Sequence, residues 1–443
     1  METYLYLSIY IFLIIGLSIY ISRSSSHEDF LIGGRNKNAS AILFSKFAGA
    51  IGVSTLITYT GYAYKFGWGL FAMSIGSVFG YLLFAFWAAP KIKKLSIQGN
   101  FYTQGDLPAF ITGSKKTATI TNSITIIVQF FWILLSLAGG AKVIAFFGVF
   151  TYEIALLITA IVVMVYVSFS GFKAVIVTDI FQGIIIILFL CILIYGMFDI
   201  RDFSTILSSN TGDNPTIGSI IGLVLYGGLS VFGLADRYQL CYASKNEKSL
   251  KRGLGLAIIP VLSIAFLLLL IGLYAYVKNS GLDADTVFVY AMQNFTAPSW
   301  LPLLLVLFFA GLMSTADTSI FAVASHIVSN TNKNQKVKSL RYATAITVIV
   351  AYAVALFWRS IVDITIVGAA LRMTLSIAMI YVILQKENSG RFIASAIGGL
   401  LGLIIGILVF GPAPTIAITV LLGALLGLIY RSKSPKETPF LRN

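Results

Sequence analysis

The sequence predicts an all-helical integral membrane protein with about thirteen transmembrane helices, on three observations. Of its 443 residues, 58% are hydrophobic and 11% are charged, and the mean hydropathy is +0.91. A soluble domain carries about 25% charged residues, so much of this chain must face lipid. Apolar runs recur along the chain, each long enough to cross a hydrocarbon core of about 30 Å. Because these runs are continuous and do not alternate, they favour helices over the strands of a barrel.

Thirteen apolar segments are predicted to span the membrane. We expect the first one to remain in place, because it lacks the basic start and the small-residue cleavage site of a signal peptide. The predicted spans are 3–22, 41–64, 68–90, 118–147, 152–170, 173–197, 216–235, 254–277, 300–328, 340–358, 361–384, 391–411 and 414–430.

Lysine and arginine predict the direction of the chain. Most of the 31 basic residues fall in alternate loops, which are cytoplasmic if the N-terminus lies outside the cell. This predicts a multi-pass protein of the plasma or inner membrane with a cytoplasmic C-terminus. The net charge of +14 then reflects orientation, and no nucleic-acid partner is expected. The chain has no GxxxxGK[ST] loop for ATP phosphates, and its two histidines are far apart, so no metal cluster is expected.

Two glycines interrupt the second predicted span. Gly49 and Gly52 follow Lys46, which we place at the inner end of the helix. One interpretation is a packing face, since small residues allow membrane helices to approach closely. The other is an unwound stretch whose free carbonyl oxygens bind an ion.

Two aspartates lie inside predicted spans. In the ninth span, Ser314, Asp317 and Thr318 share one helix face. A carboxylate in hydrocarbon costs about 2.5–3.5 kcal/mol and marks a pathway, a partner or a relay. Asp179 lies about two turns inside the sixth span, and the purely structural alternative is that it pairs with Lys173 or another loop lysine near the interface.

Two cations also lie within predicted spans. Arg372 is near the middle of the eleventh span. It is expected either to pair with Asp317 or Asp363, or to clamp a substrate carboxylate, which the planar guanidinium fits. Lys142 lies close enough to the outer end of the fourth span to reach the interface.

Six short motifs, in order, resemble those of the sodium/solute symporter family. The segment Gly171–Gln182, of the form G-x-x-A-V-x-x-T-D-x-x-Q, resembles the most diagnostic of them, and the similarity covers roughly residues 1–410. The other five motifs are Asp29–Arg35, Ala63–Gly67, Tyr102–Asp106, Asp236–Lys245 and Gln385–Gly390.

The resemblance implies a leucine-transporter-type fold built from a five-plus-five inverted repeat. The expected organisation is an extra N-terminal helix and inner loop (1–40), a transport core (41–385), two C-terminal helices (386–430) and a cytoplasmic tail (431–443). The core divides into a first repeat (41–197) and a second repeat (216–385), each beginning with a broken helix. Substrate and ion would bind between the two broken helices, near the midplane.

The resemblance also implies binding residues. The expected sodium site is Ala50, Val53, Gly311, Ser314 and Thr315. A second cation site would use Asp179, Asp317 and Thr318, where Asp317 departs from the serine of the family pattern. The expected substrate residues are Thr58, Gln129, Tyr226, Ser230 and Arg372.

The function that the resemblance implies is sodium-coupled symport of a small polar organic solute, such as an amino acid, organic acid or sugar. The expected partners are that solute, Na⁺ and the lipid bilayer, with no obligate protein partner. A carboxylate-bearing solute is a hypothesis that depends on Arg372. The alternatives are proton coupling through Asp317 or Asp179, and a transporter-like sensor. An enzyme is not expected, because the distant histidines, His27 and His326, provide no base for a nucleophile.

Overall fold

Helices account for nearly all of the chain that the computed structural model describes. The described residues are 2–22, 32–50, 52–146, 150–169, 172–197, 206, 215–331 and 337–429. Within them no β-strand forms, apart from an isolated bridge between Lys37 and Ser244. The predicted tail 431–443, Gly171 and the start of the first motif lie outside the described residues.

Every predicted span coincides with one helix or with a pair of helices. The α-helices are α1 (Glu2–Ser22), α2 (Ala39–Ala50), α3 (Val53–Phe66), α4 (Phe71–Leu83), α5 (Ala89–Gly99), α6 (Asp106–Thr112), α7 (Lys115–Phe146), α8 (Tyr152–Phe169), α9 (Phe172–Met197), α10 (Ile217–Leu229), α11 (Ala235–Ala243), α12 (Glu247–Lys278), α13 (Val287–Asn294), α14 (Leu301–Thr331), α15 (Val337–Phe357), α16 (Ile361–Ile383), α17 (Ser389–Phe410) and α18 (Ile416–Ile429).

Fewer than thirteen helices qualify as membrane spans by their length and composition alone. Six helical stretches in the described residues are long and apolar enough to cross a membrane, and a seventh joins them if one bent pair is a single span. Shorter apolar helices occupy several of the remaining predicted positions. The chain is therefore a multi-pass membrane protein, and the count of thirteen stays a prediction.

The second predicted span is broken at its glycines. Helix α2 ends at Ala50 and α3 begins at Val53, with Gly52 extended between them (φ −89°, ψ 176°). The Thr55 hydroxyl donates a hydrogen bond of 2.8 Å to the carbonyl of Ala50. The helix is thus interrupted at Gly52, and the interruption agrees with the second interpretation of the glycines.

The seventh predicted span is broken in the same way. Helix α10 passes through a short 3₁₀ turn (Ser230–Gly233) and then an extended Leu234 (φ −95°, ψ 118°) into α11, with a bend of 45°. A Cβ on Gly233 would overlap the carbonyl oxygen of Arg372. Only glycine therefore lets this break pack directly against α16.

Small residues bring α4 and α10 close together. A Cβ on Gly76 would overlap the Val224 carbonyl oxygen, and one on Gly80 would overlap that of Gly228. Without a hydrophobic force between helices in lipid, such close backbone contact is what holds the helices together. The contact positions Tyr81, one residue beyond Gly80 on α4, beside the second break.

An ion pair joins three elements near the predicted outer side. The Lys142 amine donates to Asp285 Oδ2 at 2.6 Å, although the sequence suggested only that Lys142 reaches the interface. Asp285 also accepts the backbone N–H groups of Ile361 (3.0 Å) and Val362 (2.9 Å) at the start of α16. One carboxylate thereby neutralises a lysine and caps a helix.

Candidate functional site

A cavity of about 180 Å³ lies between the two broken spans. Residues of α2, α3, α4, α7, α12, α14 and α16 complete its wall. All five residues predicted to bind substrate line it: Thr58, Gln129, Tyr226, Ser230 and Arg372. The fold thus brings together residues that are more than three hundred positions apart in the chain, from Thr58 to Arg372.

Hydroxyl groups on opposite helices meet in the cavity wall. The oxygens of Thr58 on α3 and Thr365 on α16 are 2.9 Å apart. Thr365 also donates to the Ile361 carbonyl (2.8 Å), so the Thr58 hydroxyl supplies the proton of the shared bond. Ser230 donates to the Tyr226 carbonyl at 2.5 Å, as a hydroxyl often does inside a membrane helix.

Arg372 is held by an aromatic ring. Its guanidinium lies 4.5 Å from the ring centre of Trp132 on α7. Among the described residues, neither Asp317 nor Asp363 forms an ion pair with it, so the purely structural interpretation of Arg372 loses both of its suggested partners. The Arg372 Nε has no hydrogen-bond partner among the described residues. Arg372 thus presents a desolvated donor group to the cavity.

Two further cations in the wall, Lys46 and Arg237, were not among the predicted site residues. Lys46, expected at a helix end, is 1% exposed, and its amine lies 4.6 Å from the ring centre of Tyr81. Arg237 pairs with Asp236 and donates from Nη2 to the Tyr81 hydroxyl at 2.9 Å. A charge inside the apolar run of α2 was the available signal for Lys46, because such charges are rarely structural.

Six buried polar atoms of the wall have no hydrogen-bond partner in the described residues. Four of them are donors only, one is the Tyr226 hydroxyl, and one is a carboxylate oxygen of Asp236. An unsatisfied buried donor costs about 1–3 kcal/mol, so these atoms favour a polar ligand. The four donors are Lys46 Nζ, Trp132 Nε1, Arg237 Nε and Arg372 Nε.

Part of the predicted sodium site lies where the first break contacts α14. Ala50 and Thr315 both line the cavity. A Cβ on Gly52 would overlap Thr315 Oγ1, so the unwound backbone lies directly against that side chain. Gly311 lies one turn earlier on α14, and its carbonyl accepts from Thr315 at 3.3 Å. The backbone of Val53 opens α3 beside them.

Asp179 lies just behind this junction. It is 1% exposed and accepts hydrogen bonds from Ser45 on α2 (2.8 Å) and from Ser314 on α14 (2.7 Å). The Lys173 side chain, its suggested structural partner, lies outside the described residues. Ser314 thus faces Asp179 in this structure, and one carboxylate joins α2, α9 and α14.

The second buried carboxylate, Asp317, faces away from the cavity. Its Oδ2 accepts from the hydroxyl of Tyr166 on α8 (2.7 Å), and its Oδ1 accepts from the Thr318 backbone N–H (2.6 Å). The Tyr166 hydroxyl is also 3.0 Å from Thr178 Oγ1, next to Asp179. Asp317 and Asp179 are close enough to interact electrostatically. Thr318 lines the cavity, and its hydroxyl lies 3.4 Å from Asp317 Oδ1.

Comparisons of the sequence with known proteins identify a family. A model of the sodium:solute symporter family matches residues 30–406. A sodium/pantothenate symporter of Haemophilus influenzae is 26% identical over 387 residues, covering 79% of this chain and 78% of the relative. A sodium/proline symporter of Staphylococcus aureus is 23% identical over 385 residues, covering 80% and 75%.

Solved structures share the fold. A Na⁺-coupled sialic acid symporter, in a substrate-bound outward-open state, aligns with a TM-score of 0.75 and 14% identity, covering 97% of this chain and 98% of the other. A nucleobase–cation symport family transporter in a closed conformation aligns with a TM-score of 0.64 and 14% identity, covering 90% and 93%. Both have the leucine-transporter-type architecture. With the family model matching most of its length, the chain belongs to the sodium:solute symporter family.

Proposed function

We propose that this protein is a sodium-coupled symporter that binds a small polar organic solute in the cavity between its broken helices. Family membership supports sodium-coupled symport. The observation that carries the proposal for this chain is the contact between the unwound backbone at Gly52 and Thr315, at the edge of a cavity with unsatisfied polar atoms. Unwound backbone at membrane depth is tolerated only where it is buried in protein or lines a polar cavity.

The proposed sodium site comprises the carbonyls of Ala50, Val53 and Gly311 and the hydroxyls of Ser314 and Thr315. Sodium is a hard ion, and neutral oxygens replace its water without binding it too tightly for release. The carbonyl of Ala50 is free of a continuing helix and already accepts from Thr55. For Ser314 to join the site, its hydroxyl would keep donating to Asp179 and present its lone pair to the ion.

Coupling follows from the position of this site. An ion at the junction of α2, α3 and α14 would hold the first break against α14, and the same break forms part of the cavity wall. Sodium would thereby stabilise the solute-binding shape of the cavity, and the solute would strengthen sodium binding by the same factor. Access would then alternate as the broken helices move against the rest of the core.

Asp179, Asp317 and Thr318 are proposed as a second cation site. The buried carboxylates carry negative charge in a place where only a cation or a proton compensates it. We propose as the second candidate that a proton takes the place of the ion there. The observation that favours it is that Asp317 and Asp179 are both buried and close enough to interact, because two neighbouring buried carboxylates disfavour each other's negative charge.

The remaining proposals concern orientation and organisation. An N-terminus outside the cell and a cytoplasmic C-terminus fit the distribution of lysine and arginine. The two breaks lie at equivalent points of the proposed repeats, 41–197 and 216–385, preceded by an extra helix and followed by two more. Transport function accounts for the site without any catalytic role.

A thermal-stability scan of the purified protein tests the proposal. A solute panel is scanned in sodium chloride and in choline chloride, because a ligand raises stability by mass action. We expect at least one solute to stabilise the protein only in sodium chloride. We expect Thr315→Ala to reduce that effect and Thr315→Ser, which keeps the hydroxyl, to preserve it. Equal stabilisation in both salts would contradict sodium coupling.

A further inference from the structure

The charged groups of the cavity wall do not balance. Among the described residues, four charged side chains line it: the cations Lys46, Arg237 and Arg372, and the carboxylate of Asp236. Asp236 pairs with Arg237, its neighbour in sequence, which leaves two positive charges without a counter-charge in the wall. Charges at this depth are costly and normally have a partner.

The uncompensated charges are held against two different aromatic rings. The amine of Lys46 and the guanidinium of Arg237 both approach the ring of Tyr81 on α4, at 4.6 Å and 5.5 Å from its centre. Arg372 stacks on Trp132 of α7. The aromatic rings hold the cations in place, and cation–π contact leaves the charges available to a ligand.

The unsatisfied hydrogen-bonding atoms match this distribution. Lys46 Nζ and Arg237 Nε are unpaired donors in the group beside Tyr81, and Arg372 Nε and Trp132 Nε1 are unpaired donors in the group at Trp132. A ligand that satisfies both groups of donors needs acceptor atoms at both of its ends. A sugar or a zwitterion would leave at least one cation without a charged partner, at the cost of a buried unpaired charge.

We infer that the solute is a small organic dianion of the dicarboxylate type, with one carboxylate at Arg372 and the other at Lys46 and Arg237. The cations are held on rings of two different helices, Tyr81 on α4 and Trp132 on α7, and two carboxylates fit this arrangement better than one compact phosphate. This inference rests on the proposed symport function and adds the substrate class to it. It assigns solute binding to Lys46 and Arg237. Lys46 lies on α2, before the first break, and Arg237 lies on α11, after the second break.

The test uses three probes of equal size and different charge: succinate, succinamate and succinamide. Malonate and glutarate vary the spacing of the carboxylates, and inorganic phosphate represents a compact anion. Binding to the purified full-length protein is measured by thermal stability in sodium chloride and in choline chloride. We expect one of the dicarboxylates to bind most tightly, and replacing one carboxylate by an amide to weaken binding about tenfold or more.

Variants of Lys46 then locate the second carboxylate. Lys46→Gln removes the charge and is expected to abolish the preference for succinate over succinamate, whereas Lys46→Arg keeps part of it. The matched control is Lys65→Gln, which removes an exposed lysine from the far end of α3 and should leave the preference unchanged. The comparison of probes on the unaltered protein stands even if Lys46→Gln fails to fold.

The outcomes separate this inference from the proposed function. Sodium-dependent binding of a neutral or zwitterionic solute, with no response to dicarboxylates, would overturn the dianion and leave symport standing. A preference for phosphate over every dicarboxylate would overturn the two-ended site. Dicarboxylate binding that is equal in sodium and choline would keep the dianion site and overturn sodium coupling. An unchanged succinate preference in Lys46→Gln would remove Lys46 from the site.

Discussion

Gly52 lies directly against Thr315, so closely that a Cβ on the glycine would overlap the threonine hydroxyl. The two residues belong to the unwound stretch of the first broken span and to α14, which are the two elements proposed to share the sodium ion. The contact explains why a glycine is needed at this point even though Gly52 has an ordinary extended conformation. What matters here is the missing side chain rather than backbone freedom.

Gly52→Ala is expected to weaken sodium binding. The added methyl group must displace Thr315 or the unwound backbone, and such overpacking costs about 1–3 kcal/mol. Sodium affinity is read from the stability of the purified protein across a sodium titration without solute. Gly49→Ala is the matched control, since a Cβ at Gly49 would meet nothing within 4 Å. Equal loss of sodium affinity in both variants would contradict the proposed site.

Arg372→Lys is expected to reduce solute affinity about tenfold or more, nearly as much as Arg372→Gln. A lysine keeps the positive charge but loses the planar group that stacks on Trp132 and presents two donors to a carboxylate. The measurement is solute affinity at saturating sodium, with the sodium response in the absence of solute as the internal control. Full activity in Arg372→Gln would show that the guanidinium does not contact the solute.

Tyr166→Phe is expected to destabilise the protein by about 1–3 kcal/mol, because Asp317 loses its hydroxyl donor while staying buried. Asp317→Asn should have an effect of similar size. Because the residues form one contact, the double variant should be less damaging than the sum of the two single changes. Thermal unfolding of the unaltered protein, the two single variants and the double variant provides a double-mutant cycle. If the losses of stability in the two single variants simply add up in the double variant, the hydrogen bond contributes nothing.

The same variants distinguish the two candidate coupling ions. If a proton bound at Asp317 drives uptake, Asp317→Asn should abolish accumulation driven by a pH gradient. If sodium drives uptake, Asp317→Asn should change the sodium dependence of transport and leave no response to a pH gradient in either protein. Uptake at a fixed solute concentration, with each gradient imposed separately, decides between them.

Asp285→Asn is expected to cost about 3–5 kcal/mol, because it leaves Lys142 without its counter-charge and turns an amide toward the N–H groups that cap α16. The matched control is Glu153→Gln, which breaks the Arg359–Glu153 pair, whose side chains are each 50% exposed. Solvent already screens that pair, so no measurable change in unfolding temperature is expected. Similar losses in both variants would contradict a structural role specific to Asp285.

Much of the fold was predictable because a bilayer imposes few solutions on an apolar chain. Continuous apolar runs had to be helices, and Gly49 and Gly52 allowed either a packing face or a break. The break in the seventh span was implied only by the family resemblance. The break at Gly52 and its contact with Thr315 were implied by family resemblance, while the count of spans stays a prediction. Whether Gly52 forms a packing face or a break depends on residues that are distant in sequence, such as Thr315.

The charged residues of the cavity were only partly predictable. Asp179, Asp317 and Arg372 stood out because each interrupts an apolar run. Lys46 was assigned to the inner end of a helix and Arg237 to an inner loop, because both lie where positive charges are expected on the cytoplasmic side. Their position in the cavity wall depends on how α2 and α11 turn inward at the breaks, and on Tyr81 being held between them by the glycine contacts of α4. Those are tertiary relationships that the order of residues does not contain.

Uptake into proteoliposomes tests the central claim of sodium-coupled symport most directly. Solute accumulation is measured with an inward sodium gradient, with sodium equal on both sides, and with an inward proton gradient in choline chloride, for the unaltered protein and for Thr315→Ala. The account predicts accumulation only with the sodium gradient, and a higher sodium requirement in the variant. Accumulation that follows the proton gradient and ignores sodium would contradict it.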